Sequence, residues 1–565
     1  MISTRLTFKR NMTNQIPWLI FIALVMTGLL WNGYSKPLVK VHWDSADYLY
    51  LAKQFSETAF IKHHIQQVSS LATQVVNWPY DKRFLEAYWH FGRLGHIVLL
   101  GIIVKIFGSG EQAIVAAHWL YNILMSLTMV SAVLVVTTLI NYLDRGHARQ
   151  VVLWSTVGSA GLYMISPIYA YMGRSLVSEV PAMLLLTVAI LLLLKGLNRR
   201  SIFLSCCSGF FAFLAYSTRL ESIWLYISFC AVLAVTLWLR RGRTQWLLAY
   251  ACAASISFAC YLLYAWYCYP LANPSFFIQW VKHQLPWQGE GVPFYRNISA
   301  AGGGLWIGAF VSTIATFHWH SSWSTARMAL AWTGAALLPS LPYLMQTLTL
   351  GLPLQTRMLT AILLLPLLVS STLGWVYVWE YRKRCLRSFF FVIAALTVLL
   401  IALPRLTLVT RLSRFLDLQY VRTFLMLPSY EQNTFRFDEL NHFSQVLYSK
   451  STPVFLIYDR DSMSEEDLAL MRFFGPAYPP HANLRLLRDP TNSVQCEERI
   501  AGPLSLEKVS YCFDITADQL QQLAEQGITV FRLTPLPMDN HTTMSFGYTE
   551  ILHTQNYRLG IIEPL

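Results

Sequence analysis

The sequence predicts a polytopic α-helical membrane protein with a long first extracytoplasmic loop and a small C-terminal extracytoplasmic α/β domain. Composition gives the first ground: of 565 residues, 55% are hydrophobic and only 13% are charged, where a soluble chain carries about 25% charged. Apolar runs of spanning length give the second, and the uneven distribution of basic residues between them gives the third. The formal net charge is +13, but the basic residues fall in short clusters between apolar runs. That is the pattern of topology signals, so no nucleic-acid partner is expected and the lipid bilayer is.

The first apolar run, Pro17 to Tyr34, lacks a small-residue cleavage site and reads as a retained span, not a signal peptide. Further candidates lie at 113–141, 151–172, 177–195, 202–218, 221–239, 246–268, 303–319, 328–346, 356–379 and 388–405, which makes about eleven spans by length. The run Gly95 to Gly108 is short and interrupted by Lys105. Sidedness decides its status. If it does not cross, the cytoplasmic side holds Arg5, Lys9, Arg10, Arg145, Arg149, Lys195, Arg199, Arg200, Arg240, Arg241, Arg243, Arg327, Arg382, Lys383, Arg384 and Arg387. The short loops opposite hold only Arg174, Arg219, Lys282, Arg296 and Arg357. Counting the run as a span would export most of the first set and import all of the second, so it is read as an interfacial or re-entrant helix.

Two domains follow: a transmembrane domain at 1–405, with its first external loop at 35–111, and an extracytoplasmic domain at 406–565. The N-terminus is then cytoplasmic. In the second domain, Pro453 to Asp459 and Ile528 to Thr534 read as buried strands and Ser464 to Phe474 as a capped helix. No glycine-rich phosphate loop and no repeat at a solenoid period is present. Cys206, Cys207, Cys230, Cys252, Cys260 and Cys268 lie in or beside apolar helices without metal-ligand spacing, and Cys496 and Cys512 could pair only in an oxidising compartment.

With sidedness set, ionisable residues at external helix ends become informative, because charges near hydrocarbon are costly and those that persist usually have a partner or a task. These are Asp44, Asp47, Glu86 and Arg93 in the first loop, Arg174 with Glu179, Arg219 with Glu221, then Lys282, His283, Glu290, Arg296 and Arg357. They come from separate spans but share one membrane face. Asp44, Tyr48 and Ala52 recur every four residues and would line one face of a helix. A carboxylate at that helix's N-terminal end is kept ionised by the backbone dipole, which suits a base that deprotonates a hydroxyl. The plain alternative is an ordinary helix cap or solvated charge.

An extracytoplasmic Asp-x3-Tyr-x3-Ala after the first span, a long first loop and a short apolar run ending in Phe-Gly resemble the class C (GT-C) glycosyltransferases. Gly173-Arg174-x4-Glu179-x-Pro181 adds to the likeness. The nearest subgroups are the bacterial protein O-mannosyltransferases and aminoarabinose transferases. The resemblance implies a polyprenyl-phosphate-linked sugar donor, a glycan, lipid or protein acceptor, no nucleotide cofactor, and a place in bacterial inner-membrane cell-envelope glycan biosynthesis. It also implies Asp44 as catalytic base, Glu179 as a residue that orients the acceptor, and both as ligands of a divalent Mg or Mn. Asp47, Tyr48, Arg93, Arg174, Arg219, Arg296 and Arg357 would bind substrate, the arginines gripping lipid phosphate through bidentate forks or anchoring in headgroups. Two departures stand out. Phe84 to His96 lacks the lysine and consecutive prolines of aminoarabinose transferases, and Ser45 stands where a second acidic residue is common, with Asp47 two residues on.

The implied reaction is one in-line displacement that inverts the anomeric centre. The aromatic-rich loop from Tyr269 to Gly302 would act as a lid or as an interfacial belt. The competing readings are a lipid-linked sugar flippase or transporter, which usually shows repeats and mid-membrane charges, and a non-catalytic envelope membrane protein.

Overall fold

The computed structural model describes residues 43–57, 93–143, 149–165, 172, 176–219, 245–267, 437–449, 454–458, 485–488, 497–500, 508–511, 517–535, 547–554 and 557–563, with single positions at 222–233, 364–376 and 470–475. The expected spans at 17–34, 303–319, 328–346 and 388–405 lie outside them. The chain divides into two units: Met1–Pro37 with His118–Tyr267 and Trp280–Tyr430, and Leu38–Ala117 with Cys268–Gln279 and Glu431–Leu565. The sequence divided the chain once, at 405; in the structure the first external loop belongs to the same unit as the C-terminal domain.

In chain order the first helices are α1 (Trp43–Glu57), α2 (Leu94–Phe107), α3 (Glu111–Leu143), α4 (Arg149–Ile165), α5 (Glu179–Arg199), α6 (Ile202–Thr218) and α7 (Gln245–Tyr267). Each apolar run expected between 95 and 268 that the described residues cover forms a helix. Among them, Glu111–Tyr142 and Glu179–Arg199 are long and apolar enough to cross a membrane. Large apolar side chains point outward from α6 and α7, with Phe203 74% and Leu263 65% exposed. Such exposure fits a hydrocarbon solvent better than water.

α1 is enclosed on all sides: every described side chain from Ser45 to Gln54, Lys53 included, is buried. It packs on α2, where Gly101 lets the backbones close: a Cβ there would lie 2.4 Å from Phe55 Cδ1 and 3.2 Å from the Ala52 carbonyl. The 14 residues of α2 rise about 21 Å, short of a bilayer core of about 30 Å. One face is buried through Ile97, Leu100 and Val104, while Ile102, Ile106 and Phe107 are exposed. Gly108, with φ 80°, ends the helix in a backbone conformation that favours glycine.

α5 and α6 form a tight antiparallel hairpin. Pro181 is tolerated because it falls in the first turn of α5, where amide hydrogens have no helical acceptor. Arg200 turns the chain in the left-handed region (φ 54°, ψ 40°), and the Ser201 hydroxyl accepts from the Leu204 amide at 3.4 Å to start α6. The Ser208 hydroxyl donates to the Ala189 carbonyl at 2.6 Å and meets the Tyr226 hydroxyl at 2.6 Å. α6 then lies against α7 through Gly209. Small residues let membrane helices approach in this way.

The C-terminal domain contains α8 (Phe437–Tyr448), β1 (Val454–Tyr458), β2 (Arg485–Arg488), β3 (Glu497–Ile500), β4 (Lys508–Tyr511), α9 (Ala517–Glu525), β5 (Thr529–Pro535), β6 (Gly547–His553) and β7 (Tyr557–Glu563). A mixed sheet has the order β2-β1-β5-β7-β6, and β3 pairs with β4. β1 runs parallel to β2 and β5, while β7 runs antiparallel to β5 and β6. α9 covers the sheet through Leu520 and Leu523 against Val530 and Ile562. The Tyr548 ring lies over Gly560, where a Cβ would come within 2.3 Å of it. The expected strands at 453–459 and 528–534 are β1 and β5. Leu470, Met471, Phe473 and Phe474 are helical within the expected helix at 464–474.

A Cβ at Gly209 would lie 2.1 Å from the Ala253 carbonyl oxygen, a backbone atom that cannot rotate away. Gly209→Ala therefore forces α6 from α7 and lowers stability by about 1–3 kcal/mol. Thermal unfolding of the detergent-solubilised protein measures this, with Gly110→Ala, which meets nothing within 4 Å, unchanged in packing.

Candidate functional site

The α5–α6 hairpin brings two distant charged residues together. Glu179 is the first residue of α5, and Arg219 follows the last residue of α6, its amide donating to the Ala215 carbonyl at 2.9 Å. Because the helices are antiparallel with a short connection, these ends coincide. The other end of the hairpin carries Arg199 and Arg200. Arg219 Nη1 lies 3.1 Å from Glu179 Oε1, with the side chains 6% and 2% exposed. Arg219 Nη1 also donates to Ser178 Oγ at 3.2 Å, and Ser178 Oγ donates to Glu179 Oε2 at 3.4 Å.

The helix ends reinforce this ring. A carboxylate at the start of α5 meets the positive end of one helix dipole, and a guanidinium at the end of α6 meets the negative end of the other. The fully buried Tyr121 of α3 lies within electrostatic reach of Glu179. The Ser131 hydroxyl of α3 meets that of Thr187 in α5, so α3 braces the hairpin beside the ion pair. A charged pair this deep is stable because each member supplies the other's counter-charge.

A second cluster lies in the other unit, between α1 and α2. Tyr48 meets His96 edge to face, with ring centroids 4.5 Å apart and planes at 88°. The Arg93 guanidinium carbon lies 5.5 Å from the centre of the Tyr48 ring, a cation–π distance. The Arg93 carbonyl accepts from the amides of His96 and Ile97 at 2.9 and 3.1 Å, starting α2. Arg93 is 4% exposed and His96 fully buried. Asp44 and Asp47 stand in the first turns of α1 by backbone, and their side chains lie outside the described residues.

The described candidates fall in both units. Glu179 pairs with Arg219 in one unit, and Tyr48 meets Arg93 in the other. Arg174, Arg296, Arg357 and the 269–302 loop lie outside the described residues, as do Cys496 and Cys512. Among the described residues no group of three or more His, Cys, Asp or Glu could hold a metal, and Glu179 is already engaged by Arg219. Of the two residues expected to hold Mg or Mn, the other, Asp44, has its side chain outside the described residues. Sequence reasoning did not single out Ser178, Tyr121, Lys53 or His96. The Ser-Glu step at the start of a span was the only local signal for the first of these.

No protein-family model and no curated protein sequence matches the chain. Among solved structures, the fold is GT-C-like and polytopic. Similar structures include two crystal structures of ArnT, an aminoarabinose transferase of that class, from Cupriavidus metallidurans. The one bound to undecaprenyl phosphate has a TM-score of 0.51 and 13% identity, and the match covers 97% of this chain and 98% of that one. The apo structure gives a TM-score of 0.51 and 13% identity over 98% of each chain.

Removing either partner of the buried pair strands the other charge. Glu179→Ala or Arg219→Met should each cost about 3–5 kcal/mol, while the double substitution costs less than the sum. A thermal-unfolding double-mutant cycle checks this, and strict additivity would refute the coupling.

Proposed function

We propose that this chain is a glycosyltransferase that moves a sugar from a polyprenyl-phosphate-linked donor to an acceptor hydroxyl at the extracytoplasmic face of a bacterial inner membrane. The observation that carries this reading is the end-to-end likeness of fold to a structure bound to undecaprenyl phosphate. The buried Glu179–Arg219 pair, set at the hairpin end opposite the basic turn, supports it. A charge pair kept beside hydrocarbon has a partner and, on this reading, a task.

The donor carries its own leaving group, so a nucleotide-binding domain is not required. Asp44 takes the proton of the acceptor hydroxyl. The oxygen then attacks the anomeric carbon as the bond to the phosphate oxygen breaks, and polyprenyl phosphate leaves with that electron pair. One displacement inverts the anomeric centre. Arg219, oriented by Glu179 and Ser178, offers positive charge toward the departing phosphate, and Arg174, Arg296 and Arg357 are the further candidate ligands of that phosphate. Tyr48 and Arg93 shape the first-loop side of the substrate site. The basic-residue distribution supports a cytoplasmic N-terminus and an extracytoplasmic C-terminal domain. The acceptor is a glycan, lipid or protein of the cell envelope, and a divalent metal held by Asp44 belongs to the same reading.

Transfer of radiolabelled sugar from extracted polyprenyl-phosphate sugars to envelope fractions tests this in membranes holding the wild type or Asp44→Asn. Loss of the base lowers transfer by about 10²–10⁴-fold, and the labelled fraction identifies the acceptor class. Equal transfer by both proteins would remove Asp44 as the base.

A further inference from the structure

The helix that carries Asp44 is fastened at its other end by a buried cation. Lys53 is 2% exposed, although lysine is almost never this deep without compensation. Its ammonium donates to the Phe473 carbonyl at 2.8 Å and to the Gly475 carbonyl, and lies 5.9 Å from the centre of the Phe473 ring. Phe473 lies at the end of the helical stretch that holds Leu470, Met471, Phe473 and Phe474, and Gly475 follows it, its amide donating to the Met471 carbonyl at 3.0 Å. The Ser444 hydroxyl of α8 donates to that same Met471 carbonyl at 2.9 Å. Carbonyls at a helix end lack helical donors and carry the negative end of the dipole. Lys53 therefore acts as the C-cap of a helix in the C-terminal domain while belonging to α1.

We infer that Lys53 is a positioning residue through which the C-terminal domain sets the axis and rotation of the helix bearing Asp44. Resting on the proposed role of Asp44 as base, this gives the C-terminal domain a part in the reaction. Two contacts on different sides define a helix better than one. Tyr48, Ala52 and Phe55 lie against α2 at His96 and Gly101, while Lys53 holds the 470–475 segment. Lys53 lies nine residues beyond Asp44, about 13 Å along a rigid axis. A small rotation at the anchor displaces the N-terminal turn, and misplacement of about 1 Å can cost about 10²-fold in rate.

The test compares purified full-length wild type with Lys53→Met and Lys53→Arg in lipid nanodiscs. Amide hydrogen exchange over residues 43–57 and 470–475 is read first, followed by kcat and KM for the polyprenyl-phosphate sugar. Lys53→Met is expected to raise exchange in both segments about 10-fold or more. It should lower kcat about 10-fold while the donor KM stays within about 2-fold, and Lys53→Arg should recover most of both changes. If Lys53→Met does not accumulate, Phe473→Leu keeps the carbonyl but removes the ring, and is expected to raise exchange in 43–57 about 3-fold. Unchanged exchange in 43–57 for the variant that accumulates, or a kcat equal to wild type, overturns the inference. Exchange is read without turnover, so a fully active Asp44→Asn would overturn the base while the anchor is judged separately.

Discussion

Arg219 meets Glu179 at 3.1 Å where both side chains are almost completely buried, and this contact ties together the start of one membrane helix and the end of the next. Neither charge could stay there alone. Burial of an unpaired ion is so unfavourable that the helices must present both groups at the same height. That requirement sets the lengths of α5 and α6, the tightness of the Arg200 turn and the placement of small residues along the hairpin. Ser205 lies against Gly196, and Gly209 against Ala253. The hairpin thus behaves as a rigid strut with a polar tip.

Much of this architecture could be read from the residues. Apolar length located the helices between 95 and 268, because hydrocarbon thickness leaves little choice of element. The four-residue recurrence of Asp44, Tyr48 and Ala52 marked α1, but the described part of that helix is buried all round and not along one face. Basic residues placed Glu179 and Arg219 on one face without indicating that they touch. That pairing depends on the Arg200 turn bringing two helix ends together, and sidedness alone contains no such distance.

The C-terminal domain was less legible for a different reason. Strands β1 and β5 lie inside the sheet and read as apolar runs. β2, β3 and β4 are four residues each and carry charged residues within them, as in Arg485 and Arg488. Their pairing is decided by partners far along the chain. The contact of Lys53 with Phe473 and Gly475 was invisible for the same reason. A single lysine in a helix usually reaches water, and only the fold supplies the carbonyls that replace it.

That contact spans 420 positions of sequence. At synthesis rates of about 5–20 residues per second, α1 leaves the ribosome about 20–80 s before the segment that caps it exists. During this interval α1 can already pack on α2, but the ammonium of Lys53 has no carbonyls of Phe473 and Gly475 to meet. Maturation of the first loop is therefore tied to completion of the chain's far end. Interrupted or truncated chains would reach the membrane with their helices inserted but with this helix still unfastened.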